Sequence, residues 1–397
     1  MEERVFEIPS PVRRIVVAPA SFKGGCRATK AADALAEGFA SVGPGFDVAA
    51  IPVADGGEGT LDAILAATGG RRHRVATTDP LGRPITADVG VLPDGVAVVE
   101  LAEASGFERL SANERDPERT STHGTGELLG AVLDLGAHRI LLTVGGSATN
   151  DGGMGLLAAL GARFFSASGQ ALDGWGADMA QVVRVDLSTL DPRLSTVPID
   201  IACDVQSPLL GPSGAARVFG AQKGATPASI ERLEAGLANF AERLIEATGV
   251  DVRGMPGAGA AGGAAGGVVA ALGGVVCPGA PLVLQTLDFA RHLAGAELCI
   301  TGEGRIDGQT GTGKAPAAVA AACQLAGVPC VAVCGELALD PPGLRSLGFS
   351  AAFPINRIAR PLREQLAATR TELVAIGSAI GGVWAAVGQS AEAETRG

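Results

Sequence analysis

The chain alternates short apolar stretches, glycine-rich loops and segments whose apolar residues recur at helical spacing. An apolar stretch at 14–19 leads into a glycine-containing loop and a helical pattern, and the same succession starts again at residue 48. Strand, glycine loop and helix in repeated order are typical of a parallel α/β sheet. The pattern predicts strands over 14–19 and 48–53, followed by helices over 29–40 and 61–67.

The middle of the chain has a different character. Residues 75–103 alternate apolar and polar positions with a period of two, and turn signals at 80–82 and 93–95 indicate antiparallel hairpins. The remaining pattern predicts strands over 139–144, 198–205, 298–302 and 329–334, helices over 124–135 and 316–326, a helix ending at 160, and one or two terminal helices over 362–387.

Because the strand–helix alternation of the start returns at the end, we expect an α/β parallel-sheet domain built from both chain ends. The segment between would form a second, mixed α/β domain inserted into the first. The expected boundaries are 1–75 with 285–397 for the first domain and 76–284 for the inserted one.

Composition and charge narrow the class of protein. The 397 residues are 47% hydrophobic and 18% charged, which excludes a disordered chain, and the formal net charge of −11 argues against nucleic-acid binding. The four lysines are Lys23, Lys30, Lys223 and Lys314, and three of them adjoin glycine. Lysines in glycine loops indicate phosphate binding, although a preference for arginine over lysine across the whole chain is the alternative explanation.

Cysteine usage and apolar length predict a cytoplasmic protein without a membrane span. The seven cysteines are scattered without a CxxC pair, and there are four histidines, so we expect reduced, buried thiols and no zinc site. Residues 1–14 contain no apolar core of a secretory signal. Residues 254–286 carry no charge, but Pro256, Pro278 and Pro281 interrupt them, so they are unsuited to a transmembrane helix.

Polar and charged residues follow several of the predicted strands. In an open α/β sheet, ligands bind beyond the carboxyl ends of the strands. Any single one of these residues is equally well explained as a helix N-cap, but their number favours a binding site. The residues in question are Lys23, Asp55, Glu58, Asn150, Asp151, Asp204, Glu303, Asp307 and Lys314.

Two glycine-rich segments match nucleotide-binding motifs, but the residues around them do not fit those motifs. Residues 257–262 match GxGxxG but follow no apolar strand, which argues against a dinucleotide-binding dehydrogenase. Residues 308–314 match GxxxxGK, but Ala315 stands where a P-loop needs Ser or Thr. Backbone amides with Lys314 at a helix start remain suited to phosphate.

These residue types together favour phosphoryl transfer, which needs cations on the phosphates, carboxylates for magnesium and a base near the acceptor hydroxyl. Lys23 and Lys314 are candidates for the phosphates. Glu303, Asp307 or Asp204 are candidates for magnesium or for the base, with further donor amides in the loop 145–153. Residue types alone favour a kinase without identifying its substrate.

Two segments of the chain form distinctive motifs, the SATNDGG loop at 147–153 and the GEGRxDxQT segment at 302–310. With these motifs, and with the segments that accompany them in the same order, the chain resembles the type I glycerate kinases of bacteria. The accompanying segments are 18–24, 54–60, 145–146, 203–205, 222–225, 257–263 and 313–314.

The resemblance implies ATP- and Mg²⁺-dependent phosphorylation of D-glycerate, at the 2-hydroxyl to give 2-phosphoglycerate and ADP. It also implies a flavodoxin-like domain with a second domain inserted. A kinase of another small hydroxy or sugar acid and a non-catalytic ligand-binding relative are the alternatives. The latter is favoured only by Ala20, which stands where the family carries Asp. We expect no nucleic-acid or membrane partner and a monomer or homodimer.

The resemblance also suggests roles for individual residues. Lys23, Asp204 and Asp307 are the expected catalytic residues, with the two carboxylates as rival candidates for the base, and Glu303 is the expected Mg²⁺ ligand. Arg305 is the expected partner of the substrate carboxylate. The expected substrate- and phosphate-binding residues are Ser21, Asp55, Gly56, Gly57, Glu58, Gly145, Gly146, Ser147, Asn150, Asp151, Arg305 and Lys314.

Overall fold

The structure, a computed structural model, describes residues 12–311 and 313–395, with side chains up to 386. Most of the segment examined for a secretory signal, and Thr312 of the GxxxxGK stretch, lie outside the described residues. The chain divides into two compact units. The split unit contains the described residues up to Ala54 and from Leu284 onwards, and the continuous unit contains Asp55–Val283.

The described residues form strands and α-helices in the following order. The strands are β1 (Arg13–Pro19), β2 (Phe46–Ala50), β3 (Arg71–Thr78), β4 (Pro84–Val91), β5 (Val96–Glu100), β6 (Arg139–Thr143), β7 (Arg163–Phe165), β8 (Ala171–Leu172), β9 (Arg184–Asp186), β10 (Ile199–Ala202), β11 (Val275–Cys277), β12 (Leu298–Ile306), β13 (Cys330–Leu337) and β14 (Ala351–Pro354). The helices are α1 (Ala28–Ala40), α2 (Thr60–Thr68), α3 (Ala102–Ser105), α4 (His123–Asp134), α5 (Met154–Ala159), α6 (Ala215–Phe219), α7 (Pro227–Thr248), α8 (Ala264–Leu272), α9 (Gly279–Thr286), α10 (Phe289–Leu293), α11 (Ala315–Ala326), α12 (Pro341–Ser346) and α13 (Leu362–Thr395).

The split unit is built on a five-stranded, fully parallel sheet in the order β14-β13-β12-β1-β2. Its central strands are apolar and buried, as expected for a sheet covered on both faces. The helices α1 and α13 pack together beside it. They approach so closely that a Cβ on Gly38 would lie 2.3 Å from the Val374 carbonyl oxygen, so glycine is required there.

The continuous unit is built on a six-stranded mixed sheet in the order β11-β10-β6-β5-β4-β3, with a small antiparallel sheet β8-β7-β9. The strands β11, β10, β6 and β5 run parallel, whereas β4 and β3 form the predicted antiparallel hairpins. Its core includes Phe164 and Phe240, whose rings meet edge to face at 5.5 Å between centroids. The expected fold class, a parallel α/β unit from both chain ends with a mixed α/β unit inserted, is confirmed.

The first boundary between the units lies at 54/55 rather than near 75. Residues 55–75 belong to the continuous unit because α2 packs on β4 and β5 and β3 pairs with β4. The second boundary, at 283/284, lies one residue from the expected position. Strand β12 also extends to Ile306, four residues past its expected end, so Glu303 and Arg305 lie within it.

The apolar segment 254–286 is divided among α8, β11, α9 and short turns. No helix in the described part of the chain is long and apolar enough to cross a membrane.

Candidate functional site

In the continuous unit, three loops meet at the carboxyl ends of β6 and β10. These strands are parallel neighbours with Ala202 opposite Thr143, so the loops that follow them leave the same edge of the sheet. The third loop, at 54–59, packs against the loop after β6, since a Cβ on Gly145 would lie 2.6 Å from the Gly57 Cα atom. Gly56 has φ +89°, and a Cβ on it would lie 3.1 Å from the Cβ of Ala202. Close backbone approach is therefore the reason for glycine in these two loops.

Asp204 follows β10 directly and carries an unsatisfied carboxylate oxygen. Its Oδ1 accepts a hydrogen bond from the Gly279 amide at 2.7 Å. Its Oδ2 is buried without a hydrogen-bond partner among the described residues. Burial, together with the neighbouring Asp55 carboxylate, raises the pKa of Asp204 to about 7. A carboxyl with this pKa and one free oxygen is suited to accept a proton near neutral pH.

Asn150, in the loop after β6, is fully buried, and both polar atoms of its side chain lack partners among the described residues. Buried amides are nearly always hydrogen-bonded, so two unsatisfied atoms on one side chain indicate a place for a polar ligand or water. Asn150 and Asp204 are thus the two residues whose geometry most directly favours ligand contact.

Asp151 was expected to line the same pocket, but its carboxylate is occupied within the protein. It is fully buried, and its Oδ2 accepts hydrogen bonds from the Thr122 amide and hydroxyl at 2.7 Å each and from Gly155 at 3.2 Å. Its Oδ1 accepts from the Gly153 amide at 3.1 Å. Burial still raises the pKa of Asp151 despite these donors. The geometry favours a role in fixing the loop over direct contact with a ligand.

Several loop amides expected to serve a phosphate are also used internally. The amide of Gly145 donates to Gly56, that of Ala148 to Ser105 and that of Gly152 to Gly262. The helix that follows, α5, has only six residues. The loop is thus held by its own backbone bonds, which favours side chains rather than a row of amides as its means of contacting a ligand.

Lys223 supports this loop from beneath. It is 2% exposed, and its Nζ donates to Ser147 Oγ at 2.8 Å and to the Thr149 carbonyl at 2.6 Å. Burial lowers the pKa of Lys223 to about 7, an effect that the Asp151 carboxylate partly opposes. The sequence indicated Lys223 through its glycine neighbour and the family resemblance, but the buried contact with Ser147 required the structure.

The GxGxxG stretch packs between the two loops of the site. A Cβ on Gly259 would lie 2.3 Å from the Pro208 carbonyl, and one on Gly262 would lie 2.1 Å from the Thr149 carbonyl. Between them Ala261 has φ +52°, a strained conformation for a residue with a side chain. These glycines therefore pack against both the loop after β10 and the loop that carries Asn150.

In the split unit, polar residues gather at the carboxyl ends of β1 and β12. The Ala20 amide donates to the Gly302 carbonyl at 2.8 Å, which joins the two strand ends. A Cβ on Gly304 would lie 3.5 Å from the Lys23 backbone nitrogen, so the Lys23 loop runs alongside β12. Lys23 is exposed and Ser21 half-buried. Ala20, which stands where the family resemblance implies Asp, is buried, so this position offers no carboxylate.

Glu303 and Lys314 form an ion pair at the start of α11. The Lys314 Nζ lies 3.7 Å from Glu303 Oε2, and the Thr310 hydroxyl donates to Glu303 Oε1 at 3.0 Å. Lys314 is the N-cap residue of α11, and no side chain caps the helix. A cation, a carboxylate and the N-terminus of a twelve-residue helix therefore lie together.

Asp307 is engaged by its neighbours, unlike Asp204. Its Oδ2 lies 3.1 Å from Arg305 Nε and its Oδ1 accepts from the Gln309 amide at 2.9 Å. Arg305 also lies 3.6 Å from Glu336 and is 56% exposed. Both carboxylate oxygens of Asp307 are therefore engaged, and Arg305 is already shared between two carboxylates.

Three polar residues that sequence analysis missed support the site. Glu100, 2% exposed, accepts from the amides of Gly59 and Leu61 at 2.9 and 3.0 Å and so fixes the start of α2. Its burial raises its pKa to about 7. Thr122 anchors Asp151 and Thr310 anchors Glu303. Glu100 and Thr122 are distant in sequence from their partners, so no local pattern pointed to them, whereas Thr310 ends the 302–310 segment without having been given a role.

Of the expected site residues, the structure brings together Asp55, Gly56, Gly57, Gly145 and Asp204 in the continuous unit. Ser147, Asn150 and Asp151 lie along the same loop, whereas the side chain of Glu58 and the backbone of Gly146 are exposed. Glu303, Arg305, Asp307 and Lys314 form the corresponding group in the split unit.

Comparison with known proteins gives a consistent result. The model of the glycerate kinase family matches residues 15–385. A glycerate kinase of Bacillus subtilis strain 168 is 44% identical over 352 residues, which cover 88% of this chain and 92% of that protein. A glycerate 2-kinase of Escherichia coli K12 is 42% identical over 343 residues, covering 86% of this chain and 90% of that protein.

The same likeness extends to three dimensions. A crystal structure described as glycerate kinase 2 of Salmonella typhimurium LT2 superimposes with a TM-score of 0.86 and 39% sequence identity. It covers 95% of this chain and all of that one. The chain therefore belongs to the glycerate kinase family and is a kinase.

Proposed function

We propose that this protein transfers the γ-phosphoryl group of ATP to the 2-hydroxyl of D-glycerate, giving 2-phosphoglycerate and ADP. The observation that carries the proposal is Asp204, whose buried Oδ2 lacks a partner and whose pKa is raised to about 7. The relative named a glycerate 2-kinase supports the choice of hydroxyl.

The continuous unit supplies the acceptor site in this proposal. Asn150 would satisfy its two unpaired atoms on the hydroxyl and carboxylate oxygens of glycerate. Ser147 would donate a hydrogen bond from its hydroxyl to the same ligand, because its oxygen already accepts a hydrogen bond from Lys223. Buried, pre-positioned polar groups hold a small acid in one orientation without reorganisation during the reaction.

Asp204 acts as the general base. Its unpaired oxygen accepts the proton of the acceptor hydroxyl as the oxygen attacks phosphorus, and the Gly279 amide on the other oxygen keeps the carboxylate oriented. The pKa of about 7 leaves it substantially ionised, and so ready to accept a proton, just above neutral pH. Asp307, paired with Arg305, would keep that arginine in place instead.

The split unit supplies the donor site. Lys23 and Lys314 would contact the phosphates of ATP, and the positive end of the α11 helix dipole would add to their charge. Arg305 is exposed and would bind an anionic oxygen in exchange for one of its two carboxylate partners. These contacts balance the negative charge of the transferring group.

The residues present also fit a magnesium ion. Glu303 offers a partly buried carboxylate held by Thr310, and Mg²⁺ is commonly bound through one or two carboxylates together with substrate phosphates. When bound, the ion would neutralise charge on the phosphate oxygens. Glu303 would hold it, and Lys314 would then be released towards the phosphates.

A coupled ADP-release assay with ATP, Mg²⁺ and D-glycerate tests the proposal. We expect turnover with D-glycerate and a product that enolase consumes directly, with the Asp204→Asn protein as the control for contaminating kinases. A product that enolase accepts only after a phosphoglycerate mutase would overturn the assignment of the 2-hydroxyl. Faster turnover of a longer sugar acid, or glycerate binding without turnover, would overturn the assignment of substrate or of activity.

A further inference from the structure

Three cysteines that are far apart in sequence converge in the split unit. Cys299 in β12 and Cys330 in β13 are direct partners in the parallel register, so their side chains share one face of the sheet. Helix α11 packs on both strands and contributes Cys323. The three sulfur atoms lie within 4.8 Å of one another, and the three residues are at most 1% exposed.

The spacing of the sulfurs fits one bound ion. A metal–sulfur distance of about 2.3 Å places three sulfurs about 4 Å apart around a central ion. Among the described residues, no fourth histidine, cysteine, aspartate or glutamate belongs to this group. Zinc in structural sites takes four ligands, whereas sulfur donors also select soft monovalent copper.

Burial limits the charge that such a site tolerates. The three thiols are enclosed in the core, where an uncompensated charge is costly. A monovalent ion that replaces one thiol proton leaves the cluster neutral, whereas a divalent ion bound by the same exchange would leave a buried positive charge. The enclosed site therefore favours a monovalent ion.

We propose that Cys299, Cys323 and Cys330 form a three-coordinate site for one soft monovalent cation of the Cu(I) and Ag(I) class. The ion takes the place of one cysteine proton, so M⁺ and three thiols give one metal–thiolate bond, two thiol contacts and one released H⁺. No electron is transferred.

The site would join β12, which carries Glu303, to α11, whose N-cap residue is Lys314. A bound ion would therefore link the two elements that position Glu303 and Lys314 without contacting either residue. The inference rests on the sulfur geometry and does not depend on which acid is phosphorylated. Because the cysteines are buried, ion uptake needs local opening of the fold and is expected to be slow.

The test uses the full-length protein, reduced and kept free of oxygen and chloride. Ag⁺ is added in the presence of excess glutathione, and the mixture is followed until the bound fraction stops changing. Native mass spectrometry is expected to find one Ag⁺ per chain, and the melting temperature is expected to rise. Cu(I), measured in competition with a bathocuproine chelator, is expected to bind with the same stoichiometry, and Zn²⁺ is not expected to displace it.

Single variants then assign the ion to the cluster. Cys299→Ala, Cys323→Ala and Cys330→Ala are each expected to weaken binding by about 100-fold or more, a large effect for loss of a direct ligand. Cys334→Ala is the matched control, because Cys334 lies in the same strand as Cys330 and is equally buried but stands outside the group. Circular dichroism without metal establishes that each variant folds.

If a cluster variant fails to fold, the matching Cys→Ser protein takes its place. Two outcomes overturn the proposal. One is that all three cluster variants bind the ion as tightly as the wild type, or that Cys334→Ala loses as much affinity as they do. The other is a reduced wild-type protein that binds no ion but forms a Cys299–Cys330 disulfide on exposure to air.

Discussion

The two units present polar groups at the carboxyl ends of parallel strands, but they hold them by different means. In the continuous unit, Asp151 and Lys223 are buried and hydrogen-bonded on several sides. In the split unit, Arg305 and Lys314 are 56% and 31% exposed and are held by ion pairs. Buried hydrogen bonds fix a group in one orientation, whereas exposed ion pairs are weak, salt-sensitive and readily exchanged.

This contrast suggests that the two units bind different ligands. Recognition of a small acid needs rigid polar groups, because the ligand offers few atoms to orient it. Binding of phosphates needs cations that can leave one partner for another. Substitutions in the two groups are therefore expected to differ in size and in kind.

The largest effect is expected from Asp204→Asn. The variant keeps an acceptor for the Gly279 amide but loses the base, so kcat should fall by about 10²- to 10⁴-fold while ATP still binds. The wild-type kcat/KM should rise with pH through about 7, as Asp204 ionises, and the variant should lack this rise. Steady-state kinetics and calorimetric ATP binding measure both.

Asp307→Asn is the matched control for this comparison and should lose less than about tenfold. A larger loss in Asp307→Asn than in Asp204→Asn would transfer the base to the split unit.

Stability gives a second check. A carboxyl with a raised pKa holds its proton longer in the folded state, so its contribution to stability falls as pH rises from about 4 to about 7. Asp204→Asn should therefore be more stable than the wild type above pH 7.

A second comparison sets the fully buried carboxylate of Asp151 against the partly exposed carboxylate of Asp307. Asp151→Ala leaves buried amides and a hydroxyl without their acceptor and should lower the free energy of unfolding by about 3 kcal/mol or more. Asp307→Ala breaks a largely exposed ion pair and should cost less than about 1 kcal/mol. Similar losses from the two substitutions would remove the distinction between the units.

The two tryptophans allow each unit to be followed alone. Trp175 lies in the continuous unit and Trp384 in the split unit, and the chain has no tyrosine. Urea unfolding of Asp151→Ala is read from Trp175 in a Trp384→Phe background. Asp307→Ala is read from Trp384 in a Trp175→Phe background, each against its own single-tryptophan parent.

A further effect, confined to alkaline pH, is expected from the pH dependence of Lys223. Its pKa is lowered to about 7 from an ordinary value of 10.5, so between these values the unfolded chain binds more protons and stability rises with pH. The slope from one group is at most about 1.4 kcal/mol per pH unit. Lys223→Met should remove this slope in unfolding measured from Trp175, and an unchanged slope would mean that another group is responsible.

Much of the architecture followed from local pattern. The strands β1, β6 and β13 and the helices α1, α4 and α11 lie within a few residues of their expected positions, because apolar runs and helical spacing are local signals. The boundary near residue 75 was misplaced, since α2 continues the strand–helix pattern of the chain start while packing on the other unit's sheet. Nothing in the local sequence of α2 distinguishes the two sheets.

The candidate site divides in the same way. The sequence alone determined which loops carry polar residues and which positions are glycine, because loops after strands and tight turns have recognisable compositions. Only the tertiary structure decided that one oxygen of Asp204 lacks a partner among the described residues whereas both of Asp307 are engaged, that Lys223 donates to Ser147, and that three scattered cysteines meet. Charge, burial and hydrogen bonding at a site depend on contacts between residues distant along the chain, and those contacts exist only once the strands have paired and the helices have packed.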